Sequence, residues 1–253
     1  MKRTFQRAIL LIIIVPLLYV IGVLLYSWST DYVPERKVSI IIESKVGTRI
    51  VEDDTLSLLS WNIGYGGLGE ESDFFYDGGE GVQIDKSIAN KNFKGIIDLT
   101  AEYEQSIDFF LFQEVDVDSK RSYRMNQYNR IGKVLPKHNA VFAKNFDVSF
   151  IPIPLTNPIG EVLAGLASYG RYHASEATKY AYEGNYKFPY YLYFLDRCYL
   201  LQRYATDNGK ELVIVNTHNS AYDDGTLKQK QMEQLKATLL EEYQKGNYVI
   251  VGG

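Results

Sequence analysis

Three polar side chains follow apolar stretches of the chain, and their chemistry suits a metal ion and a phosphate. Asn62, Glu114 and His218 each come at or just after the end of such a stretch. A carboxylate and an amide oxygen suit a hard cation such as Mg²⁺, which keeps several waters and binds through few protein ligands. A histidine beside the cation can hydrogen-bond a phosphoryl oxygen. The residues predict a divalent-metal site acting on a phosphate.

The stretches that must position these residues have the pattern of β-strands. Ile107–Phe112 is apolar except for Asp108, and its shortness predicts a strand buried on both faces. In open α/β sheets, ligands bind beyond the carboxyl ends of the strands, where we expect Glu114. The competing interpretation of Glu114 is an ordinary surface acid at a solvated strand end.

A helix is predicted between the first two strands. Thr55–Trp61 predicts the first strand, and Lys86–Ser106 has helical spacing of its apolar residues before the strand at Ile107–Phe112. A right-handed crossover would make the two strands parallel, either as neighbours or with another strand between them. Asn62 and Glu114 would then lie at the same edge of one sheet.

The rest of the chain predicts further strands and one long helix. Asn208-Gly209 is typical of a hairpin turn, and Thr226 with Gln229 resembles a capping box that opens a helix ending near Lys245. The remaining predicted strands are Val38–Ile42, His138–Lys144, Val148–Ile153, Cys198–Tyr204, Glu211–Thr217 and Tyr248–Val251.

The N-terminus predicts a membrane anchor. Ala8–Trp28 carries no charge and has 21 residues, about the 20 that cross a bilayer as a helix. Three basic residues precede it, which favours a cytoplasmic N-terminus, and aromatic residues follow it. A cleaved signal peptide is the alternative, but its apolar core is usually shorter and ends in small residues. We expect a single-pass cell-membrane protein whose main domain is extracytoplasmic.

Three regions follow from this interpretation. Residues 1–30 are predicted as cytoplasmic tip and transmembrane anchor, 31–54 as a tether with a possible edge strand, and 55–253 as the folded domain. Beyond residue 30 the chain has 24 basic and 31 acidic side chains, a net charge of −7. This disfavours tight nonspecific binding of duplex DNA, although a bound cation could supply the missing positive charge.

Other candidate residues carry weaker signals. Asp73, Asp77 and Glu80 lie in a glycine-rich loop but lack the spacing of an EF-hand calcium site. Arg121 and Arg124 could reach an anion, although a solvated loop is the simpler expectation for each. His138 is expected at the surface. The lone Cys198 is expected to be a buried, inert thiol.

Residues 166–204 contain ten tyrosines. Aromatic side chains at this density can stack on bases or sugars, or lie at a membrane surface. Half-buried packing is the favoured interpretation. A noncatalytic surface protein that binds carbohydrate or membrane through this segment remains the alternative function.

Four motifs in order resemble the endonuclease/exonuclease/phosphatase superfamily. They are SWNIGYGG at Ser60–Gly67, LFQEVD at Leu111–Asp116, IVNTHNS at Ile214–Ser220 and IVGG at Ile250–Gly253. The superfamily includes pancreatic-type deoxyribonucleases, abasic-site endonucleases, inositol polyphosphate phosphatases and neutral sphingomyelinases. The resemblance implies an α/β (α+β) fold, a four-layered sandwich of two mixed β-sheets flanked by helices.

The resemblance also implies roles for the three residues. Glu114 matches the principal Mg²⁺ ligand, Asn62 the residue that assists at the metal and scissile phosphate, and His218 the histidine that stabilises the phosphoryl group. The implied cofactor is Mg²⁺, with Mn²⁺ or Ca²⁺ as alternatives. The implied substrate is a phosphate ester of a nucleic acid or phospholipid, hydrolysed by a nuclease or sphingomyelinase-type phosphodiesterase. No protein partner is predicted.

The resemblance departs from the superfamily at the C-terminal end. The family's D-x-N and S-D-H segments, which follow G-G, are not in this sequence. The expectation is a C-terminally truncated fold, and an inactive chain whose parent is an enzyme.

Overall fold

The computed structural model describes residues 2–44, 47, 49–50, 55–73, 78–79, 81–221 and 225–253, and for residues 2–9 it describes the backbone alone. The α-helices of this part are α1 Lys2–Ser29, α2 Lys86–Glu102, α3 Gln127–Val134 and α4 Thr226–Gln244. The strands are β1 Lys37–Ser39, β2 Leu58–Asn62, β3 Phe109–Asp116, β4 Asn139–Ile151, β5 Gly160–Gly170, β6 Ala174–Ala181, β7 Cys198–Ala205, β8 Glu211–Thr217 and β9 Tyr248–Gly252.

The strands form two mixed sheets. One has the order β1-β6-β7-β8-β9 and the other the order β2-β3-β5-β4. β2 and β3 are parallel neighbours, as are β8 and β9, and the other pairs are antiparallel. The predicted parallel arrangement of the first two strands is confirmed. α2 is the crossover between them.

Helices cover the outer face of each sheet. Phe93 of α2 and Ile131 of α3 pack on Phe110 and Phe112 of β3. On the other side, Leu235 of α4 packs in the cluster that covers β7 and β8. The result is a helix, sheet, sheet, helix sandwich, which confirms the predicted fold class.

Between the sheets, β3 crosses from an apolar region into a polar one. Phe109 and Leu111 pack against Leu212 and Ile214 of the facing sheet. All four side chains are at most 3% exposed. This apolar packing holds the two sheets against each other, next to the polar residues that follow on β3 and β8.

The structure corrects several sequence-based boundaries. β4 is one continuous strand with two bulges, rather than two short strands broken near Asn145. β5 and β6 were not predicted, because their many glycine and alanine residues have low strand propensity. α4 begins after Gly225 without a side-chain cap, so the predicted capping box is wrong.

The N-terminal helix α1 is long and apolar enough to cross a membrane. Leu10–Ser29 has 20 residues, a mean hydropathy of 2.7, and only 6% of its most apolar window is buried. A signal sequence near an N-terminus has the same character. The choice between anchor and cleaved signal therefore stays a prediction.

Candidate functional site

Glu114 lies at a bulge within β3. The strand continues to Asp116, and its pairing with β5 changes register between Phe112 and Val115. Glu114 has a φ of 55°, which is uncommon for any residue with a side chain. A bulge redirects a side chain, and strained backbone of this kind is frequent at functional sites. The predicted position at a strand end is therefore corrected to a bulge near the end of the strand.

The three predicted site residues lie together around one carboxylate oxygen. Asn62 Nδ2 donates a hydrogen bond to Glu114 Oε1 at 2.9 Å. His218 Nε2 is 3.6 Å from the same oxygen. Asn62 is the last residue of β2, and His218 directly follows β8. The two sheets thus contribute to a single site.

The orientation of the Asn62 amide fixes Glu114. Its Oδ1 accepts a hydrogen bond from the backbone N–H of Gly64 at 2.9 Å, so its nitrogen faces the carboxylate. In this geometry Asn62 positions Glu114, while the amide oxygen is already engaged. Direct metal ligation by Asn62, which the sequence predicts, would use the second lone pair of this oxygen and stays a prediction.

His218 is a neutral imidazole at this site. Burial, and secondly the positive charge of Arg197, lowers the pKa of His218 to about 3. The approach to Glu114 is therefore not an ion pair, and 3.6 Å is too long for a hydrogen bond. His218 Nδ1 is buried with no hydrogen-bond partner among the described residues. A neutral imidazole in this position can donate one N–H to a bound ligand.

A buried amide pair joins the two sheets directly beneath the site. Gln113 Nε2 donates to Asn216 Oδ1 at 2.8 Å. Asn216 Nδ2 lies within 3.1–3.2 Å of Phe112 O, Ala167 O and Ser168 Oγ. Gln113 immediately precedes Glu114, and Asn216 lies two residues before His218. This network therefore sets the distance between the carboxylate and the imidazole.

A cavity of about 220 Å³ opens beside Glu114 and His218. Three further polar residues line it, together with aromatic and aliphatic side chains. The polar additions are Arg121, Asn145 and Arg197, and the others are Tyr65, Leu68, Phe146, Ala164, Tyr186, Tyr193, Phe194 and Leu195. A mostly apolar cavity with a few convergent polar groups is typical of a ligand site.

Arg121 belongs to this cavity, contrary to the expected solvated loop. Its guanidinium makes two hydrogen bonds to buried Asp116, at 2.8 and 3.2 Å. It lies 3.9 Å from the centroid of the Tyr65 ring, and its side chain is 12% exposed. These contacts hold a permanent positive charge near Glu114, where it can attract a phosphate.

Asn145 is a site residue that the sequence analysis missed. The pairing of β4 with β5 shifts register between Lys144 and Phe146, which places Asn145 at a second bulge. It is 2% exposed, and its Nδ2 has no hydrogen-bond partner among the described residues. The only signal in the sequence is an asparagine inside a strand-like run, where this residue type is unfavourable.

Arg124 and His138, two further residues considered in the sequence analysis, have different outcomes. Arg124 pairs with Asp118 and Glu161 at the surface, as expected for a solvated loop. His138 is fully buried, so its predicted surface position is wrong: its Nε2 is 3.0 Å from Ile107 O. Burial lowers the pKa of His138 and favours the neutral ring.

The acidic loop offers no calcium site in its described part. Asp73 uses its backbone carbonyl to accept from Gly81 N at 2.7 Å. Asp77 and Glu80 lie outside the described residues.

Four of the ten tyrosines in the tyrosine-rich segment are core residues. Tyr169, Tyr182, Tyr199 and Tyr204 are at most 7% exposed, which confirms the packing interpretation for these four. Cys198 is buried, and burial raises the pKa of its thiol to about 12, as expected for an inert thiol.

The donor set fits a hard cation that keeps most of its own water. Within the described residues, no group of three or more His, Cys, Asp or Glu side chains could enclose a metal. Glu114 is the carboxylate of the cavity, and its side chain is 20% exposed. Mg²⁺ is often bound through one or two carboxylates together with substrate phosphate oxygens. Glu114 is therefore the residue that would hold such an ion.

The fold is a sandwich of two sheets, and a cavity lined by Glu114, His218 and Arg121 lies beside the contact between them. Neither a family model nor a curated protein sequence matches the chain. Solved structures do resemble it.

The chain is similar to an endonuclease/exonuclease/phosphatase from Beutenbergia cavernae DSM 12333, at 17% identity and a TM-score of 0.47, over 73% of this chain and 43% of that one. It is similar to ANGEL2, a 2′,3′-cyclic phosphatase, at 13% identity and a TM-score of 0.49, over 81% of this chain and 50% of that one. It also resembles TDP2 from Caenorhabditis elegans at 10% identity and a TM-score of 0.43, over 75% of this chain and 42% of that one. The chain thus spans half or less of these proteins, and at such scores the likenesses carry no argument about activity.

Proposed function

We propose that this chain carries the metal site of a phosphoric ester hydrolase of the endonuclease/exonuclease/phosphatase superfamily. The observation that carries the proposal is the convergence of Glu114, Asn62 and His218, which come from three strands and two sheets. Three of the four sequence motifs that resemble the superfamily each contain one of these residues. The substrates of the proposed reaction are phosphodiesters or phosphomonoesters.

Each polar residue of the site has its own role in the proposed reaction. Glu114 holds Mg²⁺, or Mn²⁺ in its place, and Asn62 keeps the carboxylate in position. The cation, when bound, neutralises charge on the phosphate and its leaving oxygen. The neutral His218 donates a hydrogen bond from its ring N–H to a phosphoryl oxygen, and the Nδ2 of Asn145 offers a second donor.

Arg121 gives the cavity its affinity for anions. Its ion pair with Asp116 holds the guanidinium in one orientation, which limits the entropy lost when a phosphate arrives. The net charge of −7 beyond residue 30 disfavours extended contacts with duplex DNA. The proposed specificity therefore comes from this small cavity rather than from a broad basic surface.

We further propose that α1 anchors the protein in the cell membrane with the domain on the extracytoplasmic side. The charge-free run, the basic residues before it and the mostly exposed surface of α1 support this orientation. The alternative, a noncatalytic surface protein that binds carbohydrate or membrane through the tyrosine-rich segment, would have to use the six tyrosines that are not buried, because the other four are core residues.

The hydrolysis experiment uses a chain completed with the D-x-N and S-D-H segments expected of the parent enzyme. It compares the chain without substitutions, Glu114→Gln and the exposed control Glu102→Gln. The assay follows Mg²⁺-dependent cleavage of bis(p-nitrophenyl) phosphate, with and without EDTA. We expect Glu114→Gln and EDTA each to lower the rate by at least about 100-fold, and Glu102→Gln to leave it unchanged. Wild-type activity in Glu114→Gln would show that the metal site lies elsewhere.

A further inference from the structure

One turn of the chain lies between the candidate site and the N-terminal helix. The turn at Tyr190–Tyr193 contacts both α1 and β4, and α1 also contacts β4. Tyr193 and Leu195 pack on the apolar cluster at the end of β4 and also line the site cavity. Residues 190–195 therefore link the cavity to the apolar helix.

The end of α1 rests on the domain while still inside its apolar span. Val23 and Leu24 are half-buried and Ser27 is 4% exposed, whereas Leu25 and Trp28 are more than half exposed. The span extends to Ser29. At about 1.5 Å per residue, positions 23–27 lie roughly 3–9 Å inside its end. The domain elements that contact them are then level with the boundary of a bilayer that contains α1.

Large apolar side chains are exposed on the turn 190–193 and on the chain segments next to this turn and to β4. Phe188 and Tyr190 are 61% and 62% exposed, and Leu155, just beyond the end of β4, is 74% exposed. Exposed Lys187 precedes them. Aromatic rings and lysine stems are favoured at the boundary between lipid and water.

The connection between α1 and the domain is too short to let the domain swing away. The hydroxyl of Tyr32 accepts a hydrogen bond from buried Lys179 at 2.8 Å, and Lys144 Nζ lies 3.8 Å from the centroid of its ring. Tyr32 is three residues after Ser29, a reach of about 10 Å at most. β1 then adds to the edge of the five-stranded sheet. The part of the predicted tether around Tyr32 is therefore docked on the domain.

We propose that residues 153–155 and 188–190, called the membrane face here, rest in the headgroup region of the bilayer that holds α1. The occupant of this face is lipid, since α1, whose apolar span would lie in the bilayer, contacts both β4 and the turn 190–193 next to these residues. The candidate site then lies next to the lipid surface, bordered by the same segment of chain. This inference rests on the membrane anchoring in the proposed function, and not on the metal chemistry.

The test places an environment-sensitive fluorophore at single positions of the full chain in liposomes of phosphatidylcholine and phosphatidylserine. Phe188→Cys and Leu155→Cys report the membrane face. Tyr243→Cys, 71% exposed on α4, is the matched control, and Leu18→Cys reports the anchor. Cys198 is buried and stays unlabelled in the folded chain. A far-UV circular dichroism spectrum that matches the wild type shows that each labelled variant is folded.

We expect blue-shifted emission at positions 188 and 155, quenched by doxyl-labelled lipids, and unquenched aqueous emission at 243. Aqueous emission at 188 and 155 with a quenched label at 18 would overturn the membrane face and leave the anchor intact. Blue-shifted emission without lipid quenching would overturn it in favour of a protein partner or a second copy. An unquenched label at 18 would overturn both anchor and membrane face, while Mn²⁺ binding would still test the metal site separately.

Discussion

One half of the contact between the two sheets is apolar, and the other half is polar and hydrogen-bonded. At one end, Phe109 and Leu111 of β3 pack against Leu212 and Ile214. At the other end, the same strand turns polar, and Gln113 is hydrogen-bonded to the buried Asn216. Apolar packing tolerates small shifts because it is not directional, whereas hydrogen bonds fix both distance and angle.

This difference explains why the site lies at the polar end. Holding Glu114 and His218 within 3.6 Å requires two sheets in a defined register, and a directional network supplies it. Two bulges on either side of β5, at Glu114 and Asn145, then turn polar side chains into one cavity. The apolar end provides stability, and the polar end provides geometry.

Among the variants that test this comparison, Asn216→Ala, which removes the buried amide, should lower the free energy of unfolding most. Asn216→Ala leaves Gln113 and two backbone carbonyls without their hydrogen-bond partner, at a cost on the order of 3 kcal/mol. Equilibrium urea unfolding of the detergent-solubilised chain measures the free energy of unfolding. Ile214→Val, the control in the apolar half, should cost only about 1 kcal/mol. Equal losses in the two variants would show that the polar half has no special role.

Gly165 tests whether the two bulges depend on one another. It pairs with both Val115 and Lys144, and a Cβ there would lie 2.4 Å from the carbonyl oxygen of Ala143. We expect Gly165→Ala to cost about 2 kcal/mol in the same unfolding measurement and to weaken metal binding. The control is Gly95→Ala in α2, where a Cβ meets nothing within 4 Å and should stabilise the helix by up to about 1 kcal/mol. An unaffected Gly165→Ala protein would refute the coupling of the bulges.

A second polar region, under α4, should influence stability without influencing the site. Arg203 makes two hydrogen bonds of 2.7 Å to buried Glu242, and this pairing lowers the pKa of Glu242 to about 2. Because the pKa is lower in the folded chain, the stabilisation is present above the usual value of 4.5 and is lost as the pH falls from there towards 2.

Glu242→Gln should therefore be less stable than the wild type at neutral pH by about 1–2 kcal/mol, with a difference that narrows below pH 4.5. Unfolding measured across this pH range checks it. Glu241→Gln, whose side chain is 67% exposed, is the control and should change stability by less than about 0.5 kcal/mol. A difference that stays constant with pH would contradict the assigned cause.

The sequence predicted the elements whose pattern is local. The parallel pair β2 and β3, the helix between them and the three polar residues at Asn62, Glu114 and His218 follow from periodicity and motif. The bulges do not, because they depend on pairing with β5, a strand whose glycines and alanines hide it. Arg121 and Asn145 reach the cavity only through those bulges and through the ion pair with Asp116. Burial of His138 likewise depends on a distant carbonyl at Ile107.

The central claim is that Glu114 holds a divalent cation, and Mn²⁺ binding to the 253-residue chain tests it without an activity assay. Isothermal titration with Mn²⁺ would compare the wild type, Glu114→Gln and the control Glu102→Gln. We predict that the wild type and Glu102→Gln bind Mn²⁺ at a single site and that Glu114→Gln loses this binding. Equal Mn²⁺ affinity in the wild type and Glu114→Gln would contradict the account.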